Sequence, residues 1–257
     1  MGQMGSAMEA PNMLAELGRR ASDLRERVAA AAERAGRHPD DVTIIAVSKT
    51  VPVETLRAAY DLGFTIFGEN RVQEAQGKIA AWGDAPVRWE LIGHLQSNKA
   101  ARAVELFARI QSLDSLHLAD ALNARAEQRG HALPVLLEVN VAGEASKTGF
   151  APGDVVDAAR ALAAYPALRP EGLMTIAPLV ADPEEVRPVF QRLRALRDEL
   201  RRTVVGASES DAWSQLSMGM TDDFEVAIEE GATIIRIGRG LFGSRPLVQP
   251  SHTTQDH

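Results

Sequence analysis

Of the 28 basic residues in this 257-residue chain, only Lys49, Lys78, Lys99 and Lys147 are lysines, the other 24 being arginines. Arginine stays protonated and cannot serve as an amine nucleophile, so any lysine chemistry must come from four positions. Lys49 directly follows VTIIAVS (42–48), a run apolar enough to be a buried strand. An amine at the end of such a strand is partly desolvated, which lowers its pKa and suits it to attack an aldehyde. The competing reading is a lysine that reaches solvent just past the strand end. Lys78 lies in a helical pattern and reads as solvated surface. Lys99 and Lys147 sit in polar segments. With no cysteine in the chain, disulfides, thiolate nucleophiles and cysteine metal sites are excluded together.

A second chemical signal lies near the end of the chain. RIGRGLFG (236–243) places three glycines where an apolar run stops, and Ser217-Met218-Gly219-Met220-Thr221 follows another such run. Backbone N–H groups in turns of this kind cradle phosphate, and a nearby hydroxyl adds a donor. One glycine-rich turn is a weak signal, and two are better. A nucleophilic lysine beside a phosphate cradle suggests pyridoxal 5'-phosphate (PLP) bound as an imine. It equally suits a Schiff-base aldolase acting on a sugar phosphate.

These residues need elements to position them, and the periodicity supplies a regular set. Residues 13–36 form an amphipathic helical pattern with Leu14, Leu17, Leu24 and Val28 near helical spacing and Gly36 as a stop. Eight short apolar runs follow, at 42–48, 64–68, 89–93, 108–113, 134–141, 168–174, 214–218 and 233–238. Helical patterns near 53–62, 71–82, 97–107, 115–129, 152–164, 184–202 and 221–230 separate them. Eight strands alternating with helices over ~250 residues predict a (β/α)₈ TIM barrel with an extra N-terminal helix, in one domain. An open doubly wound sheet is the alternative. Residues 168–174 contain a proline and 214–218 is short, so these are the least regular strands. The expected layout is a disordered leader over 1–11, the barrel over 12–248 and a disordered tail over 249–257.

Barrel chemistry sits at the C-terminal ends of strands. Those ends here carry Lys49, Glu69-Asn70, His94, Asp114, Asn140, Met174-Thr175, Ser217-Met218-Gly219 and Gly238-Arg239. Taken singly, Asp114 and Asn140 read as turn or helix-capping residues. Strand alternation puts Arg236 and Ile234 on one face and Ile235 and Ile237 on the other. An inward arginine needs a partner, and a salt bridge within the mouth is the plain reading. The expected cofactor-binding residues are Lys49, Asn70, Met174, Ser217, Met218, Gly219, Arg236, Gly238 and Arg239. No metal site is expected.

Composition limits the partners. Hydrophobic content of 45%, 25% charged residues and a net charge of −7 describe an ordinary globular protein without a basic face for nucleic acid or anionic membranes. No run approaches the ~18 apolar residues of a membrane span, and the N-terminus lacks a secretory pattern. The expected location is cytoplasmic.

The stretches AVSKT (46–50), FGENRVQE (67–74), IGHLQSNK (92–99), VNVAGEASKTGF (139–150), GLMTI (172–176), LSMGMTDDFEVAI (216–228) and RIGRGLFG (236–243) together resemble the YggS/PROSC family of PLP-binding homeostasis proteins. The resemblance covers roughly 13–247. It implies a barrel like the N-terminal barrel of alanine racemase, with PLP on the lysine matching Lys49. It also implies that Ser217, Met218, Gly238 and the backbone of residue 239 hold the phosphate and that Arg236 lies near the ring. Residue 239 is Arg here, where the family often has Thr or Ser, so a backbone contact is retained and a hydroxyl contact is not.

A racemase needs a proton donor on each face of the substrate carbon. Racemases of this fold class take the second from a tyrosine of an added domain, for which the chain leaves no room beyond the barrel. Tyr60 and Tyr165 fall in or at the end of helical stretches, away from the mouth, so His94 is the remaining candidate. The expected function is therefore a PLP carrier or homeostasis protein, not an enzyme. The alternative is a PLP-dependent amino-acid racemase in which His94 is catalytic. Expected partners are PLP and PLP-requiring apoenzymes, with the protein a monomer or weak dimer.

Overall fold

In a computed structural model of the chain, the described residues are 6–144, 146–204 and 212–243. Helix α1 (Ser6–Arg34) leads, and eight strands alternate with helices after it. The strands are β1 (Thr43–Val47), β2 (Ile66–Glu69), β3 (Arg88–Leu91), β4 (Arg109–Leu113), β5 (Leu133–Glu138), β6 (Leu168–Met174), β7 (Gln215–Ser217) and β8 (Ile234–Ile237). Between and after them lie α2 (Val53–Asp61), α3 (Val72–Trp82), α4 (Ala100–Leu106), α5 (Leu116–Arg129), α6 (Val155–Ala161), α7 (Arg187–Thr203), α8 (Phe224–Glu229) and α9 (Arg239–Phe242).

All neighbouring strands pair in parallel, and β1 pairs with β8 from Thr43↔Ile234 to Ala46↔Ile237. That last pairing closes the sheet and rules out the open doubly wound alternative. Each strand falls within three residues of the apolar run that predicts it. The proline in β6 is absorbed at a bulge, because Val135↔Pro170 is followed by Leu136↔Gly172 and Glu171 has no counterpart. Gly172 is obligatory at this point, since a Cβ would stand 1.9 Å from the Gln215 carbonyl oxygen on β7.

The core has two layers, as strand alternation requires. Ile45, Leu136, Met174 and Ile234 meet inside the barrel. The alternate residues, including Phe67, Trp89, Ile235 and Ile237, pack outward against the helices. Helix α1 lies against α8 and α9, burying Leu17, Ala21, Leu24 and Val28 along one stripe. Arg27–Glu225 and Arg34–Glu229 pairs flank that contact. The helix begins at Ser6, within the stretch expected to be a leader, and it ends just before Gly36 at φ 66°. Residues 1–5 and the expected tail lie outside the described residues. Among the described residues no helix is long and apolar enough to cross a membrane.

Candidate binding site at the barrel mouth

Above the inner apolar layer the same alternation continues into polar residues. Two residues beyond Ile45 comes Val47 and then Lys49, and two beyond Ile234 comes Arg236. Val47, Lys49, Arg236, Gly238 and Arg239 line one cavity of about 220 Å³, together with Thr50, Leu179, Met220, Thr221, Asp222 and Phe242 among others. This exceeds the ~150 Å³ void that admits benzene, so the space suits one substituted aromatic ring. Lys49 therefore faces inward at the mouth and is half-buried.

Arg236 forms the inner wall. It is only 4% exposed, and it donates from Nη1 to the Ser217 hydroxyl at 2.7 Å and from Nη2 to the Thr175 carbonyl at 2.8 Å. Both acceptors are neutral. Among the described residues no carboxylate pairs with it, so the competing salt-bridge reading gives way to polar tethers. Burial pushes the guanidinium down to about 10, while the more distant charges of Asp223 and Glu138 favour its protonated form. It stays cationic at neutral pH, and a buried cation with neutral tethers attracts an anionic or lone-pair-bearing ligand.

The tethers extend down the barrel. Ser217 Oγ donates to Gln111 Oε1 at 2.6 Å, and Gln111 Nε2 donates to Glu90 Oε2 at 2.7 Å. Glu90 is held in turn by Arg88 and Arg109, and Arg109 also pairs with Glu171. A polar chain thus runs from the mouth, past the inner apolar layer, to the opposite end of the barrel.

Gly238 shapes the rim. The nearest atoms a Cβ there would meet are those of Val47, from 3.5 Å, so internal packing does not demand glycine and bare backbone is exposed to the cavity. Gly240 donates its amide to Thr221 Oγ1, tying the β8 loop to the β7 loop. The Arg239 side chain turns to Asp222 at 2.5 Å, and both residues line the cavity.

The other expected site residues are placed differently. Ser217 is fully buried beneath the cavity, with its hydroxyl engaged by Arg236 and Gln111. Met174 belongs to the inner apolar layer. Met218 packs in the outer core and donates its amide to the Ile234 carbonyl, so it presents neither group to the mouth. Gly219, at φ 94°, is required for packing, because a Cβ would stand 2.6 Å from Ala227 Cβ on α8. Asn70 lies outside the cavity lining, and its backbone packs so closely on Gly93 that a Cβ on that glycine would stand 2.6 Å from the Asn70 carbonyl oxygen.

Several secondary readings are also resolved. The cap of α5 is the Ser115 side chain, which accepts from the Leu118 amide, so Asp114 is not a cap. Asp114 Oδ2 instead meets His94 Nδ1 at 2.7 Å, and His94 is outside the cavity lining. Asn140 does hold a turn, bonding Glu144 and Lys147 backbone atoms. Glu138 is buried with one hydrogen bond from Thr148, and burial raises its carboxyl. Tyr60 packs edge-on against Trp82, away from the mouth.

Lys78 is the clear correction. It is 8% exposed, not solvated, and it lies on the buried stripe of α3 with Val72, Ala75 and Trp82. The 3–4 residue spacing to those apolar neighbours is the signal that would have placed it inside. The ammonium reaches Ser48 O at 2.5 Å and Glu69 Oε1 and Glu74 Oε1 at 2.7 Å each.

The chain is similar to known proteins over most of its length. Residues 20–246 match the family described as alanine racemase, N-terminal domain. A pyridoxal phosphate homeostasis protein of Aquifex aeolicus is 45% identical over 226 residues, spanning 88% of this chain and 97% of the relative. A Bifidobacterium adolescentis crystal structure aligns at TM-score 0.83 with 36% identity, covering 90% of this chain and 96% of the other. PipY of Synechococcus elongatus with PLP bound aligns at TM-score 0.76 with 37% identity, covering 88% and 100%.

Proposed function

This chain belongs to the pyridoxal phosphate homeostasis proteins, on the alanine racemase N-terminal domain, and we propose that it holds PLP at the barrel mouth, covalently through Lys49. The observation that carries this is the meeting of Lys49, the buried cation Arg236 and the bare backbone of Gly238 on one ring-sized cavity. In this reading the aldehyde goes to Lys49. The phosphate goes to the backbone of Gly238 and Arg239 at the rim, and Ser217 acts on the ring through Arg236, not on the phosphate by contact. Met174 forms the apolar floor, Met218 and Gly219 shape the β7 turn, and the Asn70 backbone sets the neighbouring loop.

PLP, when bound, supplies an electron sink for chemistry at the α-carbon of an amino acid. Arg236 can only donate hydrogen bonds, so toward the ring nitrogen it favours the unprotonated form and blunts that sink. Among the described lining residues the one carboxylate, Asp222, is engaged by Arg239 and so is a poor second proton carrier. Besides Lys49, the charged side chains among the described lining residues are Arg236, Arg239 and Asp222, and the last two pair with each other. The reading is a carrier in PLP homeostasis, giving and taking PLP with PLP-requiring apoenzymes, and not an amino-acid racemase.

The test uses the holo-protein. Borohydride should fix the cofactor to the peptide containing Lys49, and labelling chiefly at Lys99 or Lys147 would overturn that assignment. Incubation with individual L- and D-amino acids, followed by chiral chromatography, should show no turnover. Rates on the order of 1 s⁻¹ that vanish in His94→Ala would establish the racemase alternative.

A further inference from the structure

The residues on both sides of Lys49 are tied to one buried cluster behind the barrel wall. Lys78 has three N–H donors and three acceptors: the Ser48 carbonyl, Glu69 Oε1 and Glu74 Oε1. Ser48 returns its hydroxyl to Glu69 Oε1 at 2.6 Å. On the other side of Lys49, the Thr50 amide donates to Glu74 Oε1. Residue 48 is thus held through its carbonyl and hydroxyl, residue 50 through its amide, and Lys78 joins the two.

The backbone shows why such a clamp is needed. Thr50 has φ 62°, a left-handed conformation that a β-branched residue adopts only under constraint. The Glu74 carboxylate bonds the amide of that residue. The cluster is itself an unfavourable use of charge, with two carboxylates to one ammonium and with Glu69 Oε2 buried without a hydrogen-bond partner among the described residues. Replacing a buried ion cluster by apolar residues of similar volume is often neutral or stabilising, so net stability is a weak account of this one. Its geometry on the Lys49 turn is a better account of it.

We propose that Lys78, with Glu69 and Glu74, is the positioning device for Lys49, holding the turn so that the Lys49 amine points into the cavity. The inference rests on Lys49 as the residue that takes the PLP aldehyde. Lys78 does not touch the cofactor in this scheme. It acts on the backbone at Ser48 and, through Glu74, at Thr50.

The experiment compares two probes on the full-length protein: PLP, and pyridoxine 5'-phosphate, which carries an alcohol in place of the aldehyde. Both use the ring and phosphate contacts, and only PLP engages the Lys49 amine. Wild type should bind PLP far more tightly. Lys78→Met should weaken PLP binding about tenfold or more, since small misplacements of a reacting group are costly, while pyridoxine 5'-phosphate binding stays within about twofold. Equal weakening of both probes would mean general damage and would overturn the positioning role. Unchanged PLP preference would overturn it too. Should Lys78→Met fail to fold, Glu74→Ala carries the test, because it leaves a balanced Lys78–Glu69 pair and frees the Thr50 amide. It should lower PLP preference in the same way, and an unchanged preference would reject the proposal. Failure of the Lys49 reading looks different: wild type itself would bind the two probes alike.

Discussion

Ser217→Ala is the sharpest probe of the route by which the barrel interior serves the mouth. The substitution removes one buried oxygen that accepts from Arg236 Nη1 at 2.7 Å and donates to Gln111 Oε1 at 2.6 Å. A guanidinium N–H left without an acceptor costs about 1–3 kcal/mol, and the amide oxygen of Gln111 adds about 1. The total is about 2–4 kcal/mol, which for a chain of this size lowers Tm by roughly 5–15 °C. PLP binding should weaken by about tenfold, because Arg236 loses one of its two tethers. The assay is thermal unfolding of the apo-protein, with titrations of PLP and of pyridoxal, which has no phosphate. If Ser217 acts through Arg236, both ligands weaken by the same factor. A Tm within about 2 °C of wild type would refute the tether, since such a shift is worth under 1 kcal/mol. A loss confined to PLP would put the hydroxyl on the phosphate instead.

Two further outcomes follow from the same structure. Burial raises the Glu138 carboxyl above its ordinary 4.5, so the folded state binds its proton more tightly than the unfolded state does. The stability it contributes is complete below the unfolded value and is lost as pH rises through the folded one. Glu138→Gln should therefore raise Tm at pH 7–8 more than at pH 4, and equal gains at both would show that burial of the charge is not the cause. Gly172→Ala should cost about 3 kcal/mol, the upper end for overpacking, since the clash is with strand backbone that cannot move aside, and near-wild-type unfolding would contradict the pairing of β6 with β7.

The site was legible only where it follows local rules. Lys49 at the end of an apolar strand and the glycines after β8 announce themselves by type and spacing, and both reach the cavity. A hydroxyl in a glycine-containing turn marks Ser217 as a candidate phosphate donor from sequence alone, but not what it meets inside the protein. Within the protein that hydroxyl meets Arg236 and Gln111, the latter 106 positions away on β4. Met218 and Gly219 share that turn, and the structure adds that Met218 packs in the outer core and Gly219 makes room for α8.

Periodicity alone determined the eight strands, the helices between them and the inward direction of Ile234 and Arg236, because side-chain direction repeats every two residues along a strand. It also placed the amine of Lys49 at a strand end. Tertiary structure decided what each inward or buried polar group meets. The pairing of β1 with β8 turned a possible open sheet into a barrel. Packing of α3 on β2 took Lys78 from an assumed surface position to Glu69, Glu74 and the Ser48 carbonyl. Closure set Arg236 against Ser217 and Thr175, which strand direction alone does not specify. The division has one physical cause: direction is a property of neighbouring backbone angles, whereas a buried charge takes its partner from whichever strand or helix closure brings within about 3 Å.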